Sequence, residues 1–133
     1  MCHDQSGAST TRIPRDNQNR YSHVVKAGNW VSITGQGPAD VHGNIPPDPA
    51  DKVDNVYRNF AVAIQSAGGR LEDTIETTTY IVGREHFDTI QAARGGRFGS
   101  NLPTGTVVIV SGLARPGMLL EIEAVAYVES SAK

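Results

Sequence analysis

The stretch 102–128 constrains the fold more than any other. It holds two runs rich in β-branched residues, 107–110 (Val-Val-Ile-Val) and 118–128, separated by Ser-Gly-Leu-Ala-Arg-Pro-Gly at 111–117. Glycine and proline between such runs predict two strands joined by a loop. The unbroken apolar run 107–110 leaves no polar side, so this strand is expected to be buried on both faces. The strand after it alternates. Leu120, Ile122, Ala124, Ala126 and Val128 fall on one apolar face, and Leu119, Glu121, Glu123, Val125 and Tyr127 on the other.

Glu121 and Glu123 therefore project from the same side, roughly 7 Å apart by strand rise. Among apolar neighbours, desolvation and mutual repulsion would each raise a carboxyl pKa, which suits a carboxylate for proton transfer near neutral pH. The same pair also fits a solvated strand face whose carboxylates meet water or arginine.

The 133 residues suit one domain with one core. Residues 1–11 are small and polar and are expected to be a mobile N-terminus, with 12–133 a single domain. A net charge of −2 and 6% aromatics give no basic stripe, so no nucleic-acid partner is expected. The one cysteine, Cys2, excludes a disulfide scaffold and points to a reducing, cytoplasmic setting. No stretch reads as a signal peptide or reaches membrane-spanning length. Cys2 and His3 are adjacent, but His3, His23, His42 and His86 form no ligand pattern, so no metal site is expected.

Taken in order, 11–26 reads as irregular extended chain ending in a strand at 22–26. Ala27, Gly28 and Asn29 turn it into a second strand at 30–34, a hairpin. The Gly-Gln-Gly-Pro that follows at 35–38 either ends the strand or lets the backbone turn its N–H groups toward a ligand. A helix is predicted next. Asp48 suits the N-cap, Pro49 the first helical position, and Asp51 and Asp54 the positive end of the dipole. Val53, Val56, Tyr57, Phe60, Ala63, Ile64 and Ala67 recur at helical spacing, and Gly68-Gly69 stops the run.

Residues 74–82 form a threonine-rich strand, with Thr77, Thr79 and Ile81 on one face and Glu76, Thr78, Tyr80 and Val82 on the other. Its polar content predicts less burial than in the last two strands. A second helix is predicted over 86–98, anchored by Phe87, Ile90 and Phe98. Gly95-Gly96, flanked by Arg94 and Arg97, calls for a kink or an early end. Two helices cannot cover both faces of the sheet, yet 107–110 demands cover on both. The expectation is helices on one face, another copy of the chain on the other, and a ligand cleft between copies.

Several segments together resemble a known family. They are Trp-Val-Ser-Ile-Thr-Gly-Gln at 30–36, Asn55 with Asn59, Gly-Arg-Leu-Glu-Asp at 69–73, Thr-Thr-Thr-Tyr-Ile-Val at 77–82, Phe98 with Pro103, and Leu-Glu-Ile-Glu-Ala-Val-Ala at 120–126. The chain resembles the Rid family (YjgF/YER057c/UK114) over nearly its whole length from Arg20. That resemblance implies a chorismate-mutase-like α+β fold: a mixed β-sheet with two helices on one face, in a homotrimer with a central β-barrel and three clefts between subunits. It implies hydrolysis of enamines and imines, such as 2-aminoacrylate, to 2-oxo acids and ammonia, with no metal or organic cofactor. Carried over by position, Tyr21 lies near the cleft, Gly35 contacts the ligand through its backbone, and Glu121 positions or activates water. Val107 lines the pocket through its backbone, and Phe87 joins the substrate-binding candidates.

One position departs from the pattern. Pro-Thr-Gly-Thr at 103–106 stands where the deaminase branch has Pro-Ala-Arg-Ser, so Gly105 replaces the arginine that holds the substrate carboxylate. Glycine cannot supply a planar, charge-assisted pair. The expected function is a hydrolase or deaminase of a small imine, enamine or related C–N bond that is not efficient on 2-aminoacrylate. Arg94, Arg97 and Arg115 are candidates to restore a cation; alternatively, Gly105 opens room for a bulkier or neutral substrate. A trimer that only binds or senses a small metabolite is the competing reading. An endoribonuclease or translation inhibitor is disfavoured by the negative charge and the lack of a histidine pair suited to RNA cleavage.

Overall fold

The computed structural model of the chain describes residues 9–14 and 20–129. In chain order the elements are β1 (Thr10–Pro14), β2 (Ser22–Ala27), β3 (Trp30–Gln36), α1 (Pro49–Gln65), β4 (Thr74–Val82), α2 (Phe87–Ala93), β5 (Thr104–Val110) and β6 (Leu120–Tyr127). Single turns of 3₁₀ helix at Leu71–Asp73 and Arg84–His86 lead into β4 and α2. Of the segment 1–11 expected to be mobile, residues 1–8 lie outside the described residues, Cys2 and His3 among them. Thr10 and Thr11 open β1, a strand where irregular chain was expected.

One six-stranded sheet runs in the order β1-β2-β3-β6-β4-β5. Every neighbouring pair is antiparallel except β4 and β5, which are parallel. A parallel pair needs a crossover, and α2 lies within it. The sheet is open, with β1 and β5 as its edges. This corrects the chorismate-mutase-like, barrel-centred arrangement expected from the resemblance: among the described residues no further strand pairs beyond β5, and the sheet does not close.

The sheet owes its covered face to α1. The Asp48 carboxylate accepts a hydrogen bond from the Ala50 N–H at 2.9 Å, and Pro49 occupies the first turn, where a missing N–H costs nothing. Val53, Val56, Phe60, Ala63 and Ile64 are fully buried against β2, β3 and β6. From the sheet, Leu120, Ile122, Ala124 and Ala126 rise to meet them, as the alternation in β6 requires. Phe98 completes this core, with its ring 6.0 Å from those of Tyr57 and Phe60.

In the single chain β5 is an edge strand: Val107 and Ile109 pack on the core, while Val108, 38% exposed, lies on the face for which cover by another copy is expected. An apolar run shows that cover is wanted, not that its own chain provides it. Two local expectations need correcting. β4, expected to be the less buried, is an inner strand in which Thr77 and Thr79 are buried. The Thr77 hydroxyl donates to the Thr104 carbonyl at 3.1 Å, which removes the cost of burying it. The second helix stops at Ala93, the early end that the paired glycines call for; of its expected anchors Ile90 and Phe98 are buried, but Phe87 is 37% exposed and lies outside the core cluster. Among the described residues no helix is long and apolar enough to cross a membrane.

The loop after β3 is tied to α1. The Asn59 amide donates to the carbonyls of Gly37 (2.9 Å) and Ala39 (2.8 Å), and the Asn55 amide to that of Pro38 (3.0 Å). Replacing Asn59 with alanine strands two half-buried carbonyls. Urea unfolding of Asn59→Ala is expected to show a loss of about 1–3 kcal/mol with an unchanged m-value.

Candidate functional site

The register between β3 and β6 breaks at one place. Ile33 pairs with Ala124 and Gln36 with Ile122, so Thr34 and Gly35 together face Glu123. Such a bulge bends its strand and re-aims what lies beside it. The half-buried Glu121 folds its side chain directly over Gly35: a Cβ at position 35 would fall 2.6 Å from the Glu121 Cδ. Only glycine leaves that room. The fold thus brings two of the expected site residues, Gly35 and Glu121, into contact.

Around them lies the face of the sheet that α1 does not cover. Tyr80 is the register partner of Glu121 across β4 and β6, and its hydroxyl donates to Glu123 Oε2 at 3.2 Å. The two glutamates are not equivalent, as the sequence had suggested: Glu121 is half-buried and Glu123 is exposed. Tyr80 is held above its ordinary pKa of 10.0, first by desolvation, then by the charge and hydrogen bond of Glu123 and the charge of Glu121. It therefore stays a proton donor at neutral pH. A shallow depression of about 220 Å³ lies beside this group, lined by Ser32, Gly35, Thr78 and Glu123 but not by Glu121 or Tyr80. Tyr80 was missed from sequence as a member of this site. Alternation put it on the same face as Glu76, but not beside β6.

A second group lies on the opposite face. Gly105 is in register with the buried Thr77, and its missing side chain would point at Arg94: a Cβ there would sit 2.9 Å from Arg94 Nη2. Val107 follows on the same side, packed on the core. Arg97 is turned away, its Nη2 2.7 Å from Asp54 Oδ1, and Arg115 donates to the Gly43 carbonyl at 3.1 Å. Tyr21, in the bend before β2, and Phe87, at the start of α2, are both exposed. The expected residues thus divide into two half-sites on opposite sides of one sheet. Among the described residues no three His, Cys, Asp or Glu side chains are grouped to hold a metal ion.

A sequence model of the endoribonuclease L-PSP family matches residues 11–128. A RutC family protein of Pyrococcus horikoshii is 34% identical over 111 residues, covering 82% of this chain and 87% of that protein. The chain is a Rid-family protein. A second Rid relative, the 2-iminobutanoate/2-iminopropanoate deaminase of Escherichia coli, is 27% identical over 110 residues, 80% of this chain and 85% of that protein. The crystal structure of a YjgF/YER057c/UK114 family member from Mycobacterium tuberculosis superposes with a TM-score of 0.81 at 27% identity, covering 90% of this chain and 100% of that one. The resemblance carried by 30–36 and 120–126 is confirmed at the level of the family.

Two outcomes are expected of this Rid protein. Gly35→Ala must push the Glu121 carboxylate out of place, and urea unfolding should register a loss of about 1–3 kcal/mol from overpacking. Glu123→Ala removes both the charge and the hydrogen bond that raise Tyr80, so the Tyr80 ring titration followed by ¹³C NMR should move down toward 10.0.

Proposed function

We propose that this protein is a cofactor-free hydrolase of small imines or enamines, working in pockets shared between copies of a homotrimer. The observation that carries the reading is the Glu121 carboxylate laid over the Gly35 bulge on an uncovered sheet face. The deaminase activity named for the Escherichia coli relative supports it.

The chemistry asks little. A water oxygen attacks the imine carbon while a proton passes from that water to the Glu121 carboxylate. That proton goes on to the imine nitrogen and gives a carbinolamine; the carbinolamine hydroxyl then gives up its proton, by way of the same carboxylate, to the amine, the C–N bond breaks, and a carbonyl compound and ammonia leave. An enamine first takes a proton at carbon to become the imine. A carboxylate in hydrogen-bond reach of water is the general base such a step needs, and no group beyond protein and water enters.

The separation of the half-sites supports shared pockets. Glu121 and Gly105 face opposite sides of the same sheet, so one pocket containing both takes one from each of two chains. The exposed Val108 on the β5 edge and the uncovered Trp30 and Tyr127 are apolar surface available for that contact. With glycine at 105, β5 offers no arginine to the substrate, and efficient turnover of 2-aminoacrylate is not expected. That same gap favours the second reading, a trimer that binds a metabolite without transforming it. RNA is not the proposed substrate, since a net charge of −2 provides no field to hold a polyanion.

Ammonia release from a panel of imines, generated in place by an amino-acid oxidase, separates the two readings. Wild type is expected to exceed the uncatalysed rate on at least one imine, and Glu121→Gln to lose about 100-fold or more of that activity. A wild type inactive on the whole panel leaves the binding reading. Sedimentation equilibrium is expected to give three copies; a monomer would remove the shared pocket.

A further inference from the structure

Arg94 and Arg97 lie three residues apart and have opposite fates. Arg97 is neutralised: Nη2 meets Asp54 Oδ1 at 2.7 Å, Nε donates to the Ala93 carbonyl at 2.9 Å, and the guanidinium lies 4.7 Å from the Tyr57 ring centre. Arg94 is half-buried and has no carboxylate in ion-pair range among the described residues. Its Nη2 donates to Thr77 Oγ1 at 3.2 Å, it shares a hydrogen bond with the Tyr57 phenol, and its guanidinium lies 5.2 Å from the Phe98 ring centre. All three of those partners are uncharged. A guanidinium carries five N–H donors, so two neutral contacts leave most of its capacity open. Half-burial on an aromatic floor without a counter-charge is a costly state for a cation, and one that an incoming anion relieves.

Gly105 is what makes this placement possible. Because a Cβ at that position would fall 2.9 Å from Nη2, the guanidinium lies across bare backbone at the start of β5. Thr104, Gly105 and Thr106 are exposed on an edge strand, so a ligand has access. The glycine and the arginine are therefore one feature: the residue without a side chain on the strand gives up its space to a cation delivered from the helix side.

We infer that Arg94 is the carboxylate anchor of this protein, and that the ligand it takes at the Gly105 edge is a small carboxylic acid. This deepens the pocket proposed above, and rests on it, by naming the substrate class as imines or enamines that carry a carboxylate. The planar fork of the guanidinium pairs with both carboxylate oxygens while Thr77 and Phe98 hold its plane. The acid group is met from α2 rather than from β5, so its position differs from that given by a strand-borne arginine.

The test is equilibrium binding of 2-oxobutanoate, a stable acid of the product class, by calorimetry, with 2-oxobutanamide as its uncharged counterpart. Wild type is expected to bind the acid saturably and the amide more weakly. Arg94→Ala should weaken the acid about tenfold or more and leave the amide unchanged. Arg94→Lys, which keeps the stem and the charge but not the fork, should fall between the two and carries the comparison if Arg94→Ala does not fold. Gly105→Ala should also weaken the acid by displacing the guanidinium. Equal acid affinity in wild type and Arg94→Ala, an amide bound as tightly as the acid, or no acid binding by wild type would each overturn the inference. Arg94-dependent binding without ammonia release from any imine would instead sink the hydrolase and leave the anchor standing. Ammonia release with Arg94-independent binding would do the reverse.

Discussion

The rest of the structure depends on the register of β6. It is paired along both edges, antiparallel to β3 on one side and β4 on the other. A slip of one residue would turn Leu120, Ile122, Ala124 and Ala126 to the open face and drive Glu121 and Glu123 beneath α1. Burying a leucine or isoleucine side chain is worth about 1.5–3 kcal/mol, against about 0.5–1.5 kcal/mol for a typical net hydrogen bond. The apolar face therefore decides the register, and the register sends the carboxylates to the face α1 does not cover. The site residues are where they are because the opposite side of their own strand is buried.

On that frame the bulge at Thr34 and Gly35 is a local departure supported from elsewhere. A bulge weakens the ladder it interrupts. Here the loop that leaves it is fastened to α1 by the amides of Asn55 and Asn59, four residues apart and so on one helix face. The buried Gln36 adds a bond from its amide to the Thr34 carbonyl at 2.8 Å. The helix thus covers the core with one row of side chains and, with another, holds the loop next to the site.

Some of this was legible in the sequence because its causes are local. The alternation at 119–128, the Asp48-Pro49 helix start and the end of the second helix before Gly95-Gly96 follow from spacing, capping and backbone freedom, which need no knowledge of neighbours. What went unread depends on neighbours. β1 has too few apolar residues to announce a strand and forms by pairing with β2. Thr77 and Thr79 look like surface residues until Thr77 finds the Thr104 carbonyl and the guanidinium of Arg94. Arg94, Arg97 and Arg115 are interchangeable as letters; only packing separates the one beside Gly105 from the one held by Asp54.

By itself, the sequence determined the family and the two faces of β6, since periodicity and short motifs act through nearest neighbours along the chain. The tertiary structure alone decided that the sheet stays open, that β5 lies at its edge, that Glu121 is half-buried while Glu123 is exposed, and that Arg94 fills the room Gly105 leaves. Each of those outcomes is a contact between residues distant in sequence. Strand order and side-chain packing create such contacts, and no local pattern encodes them.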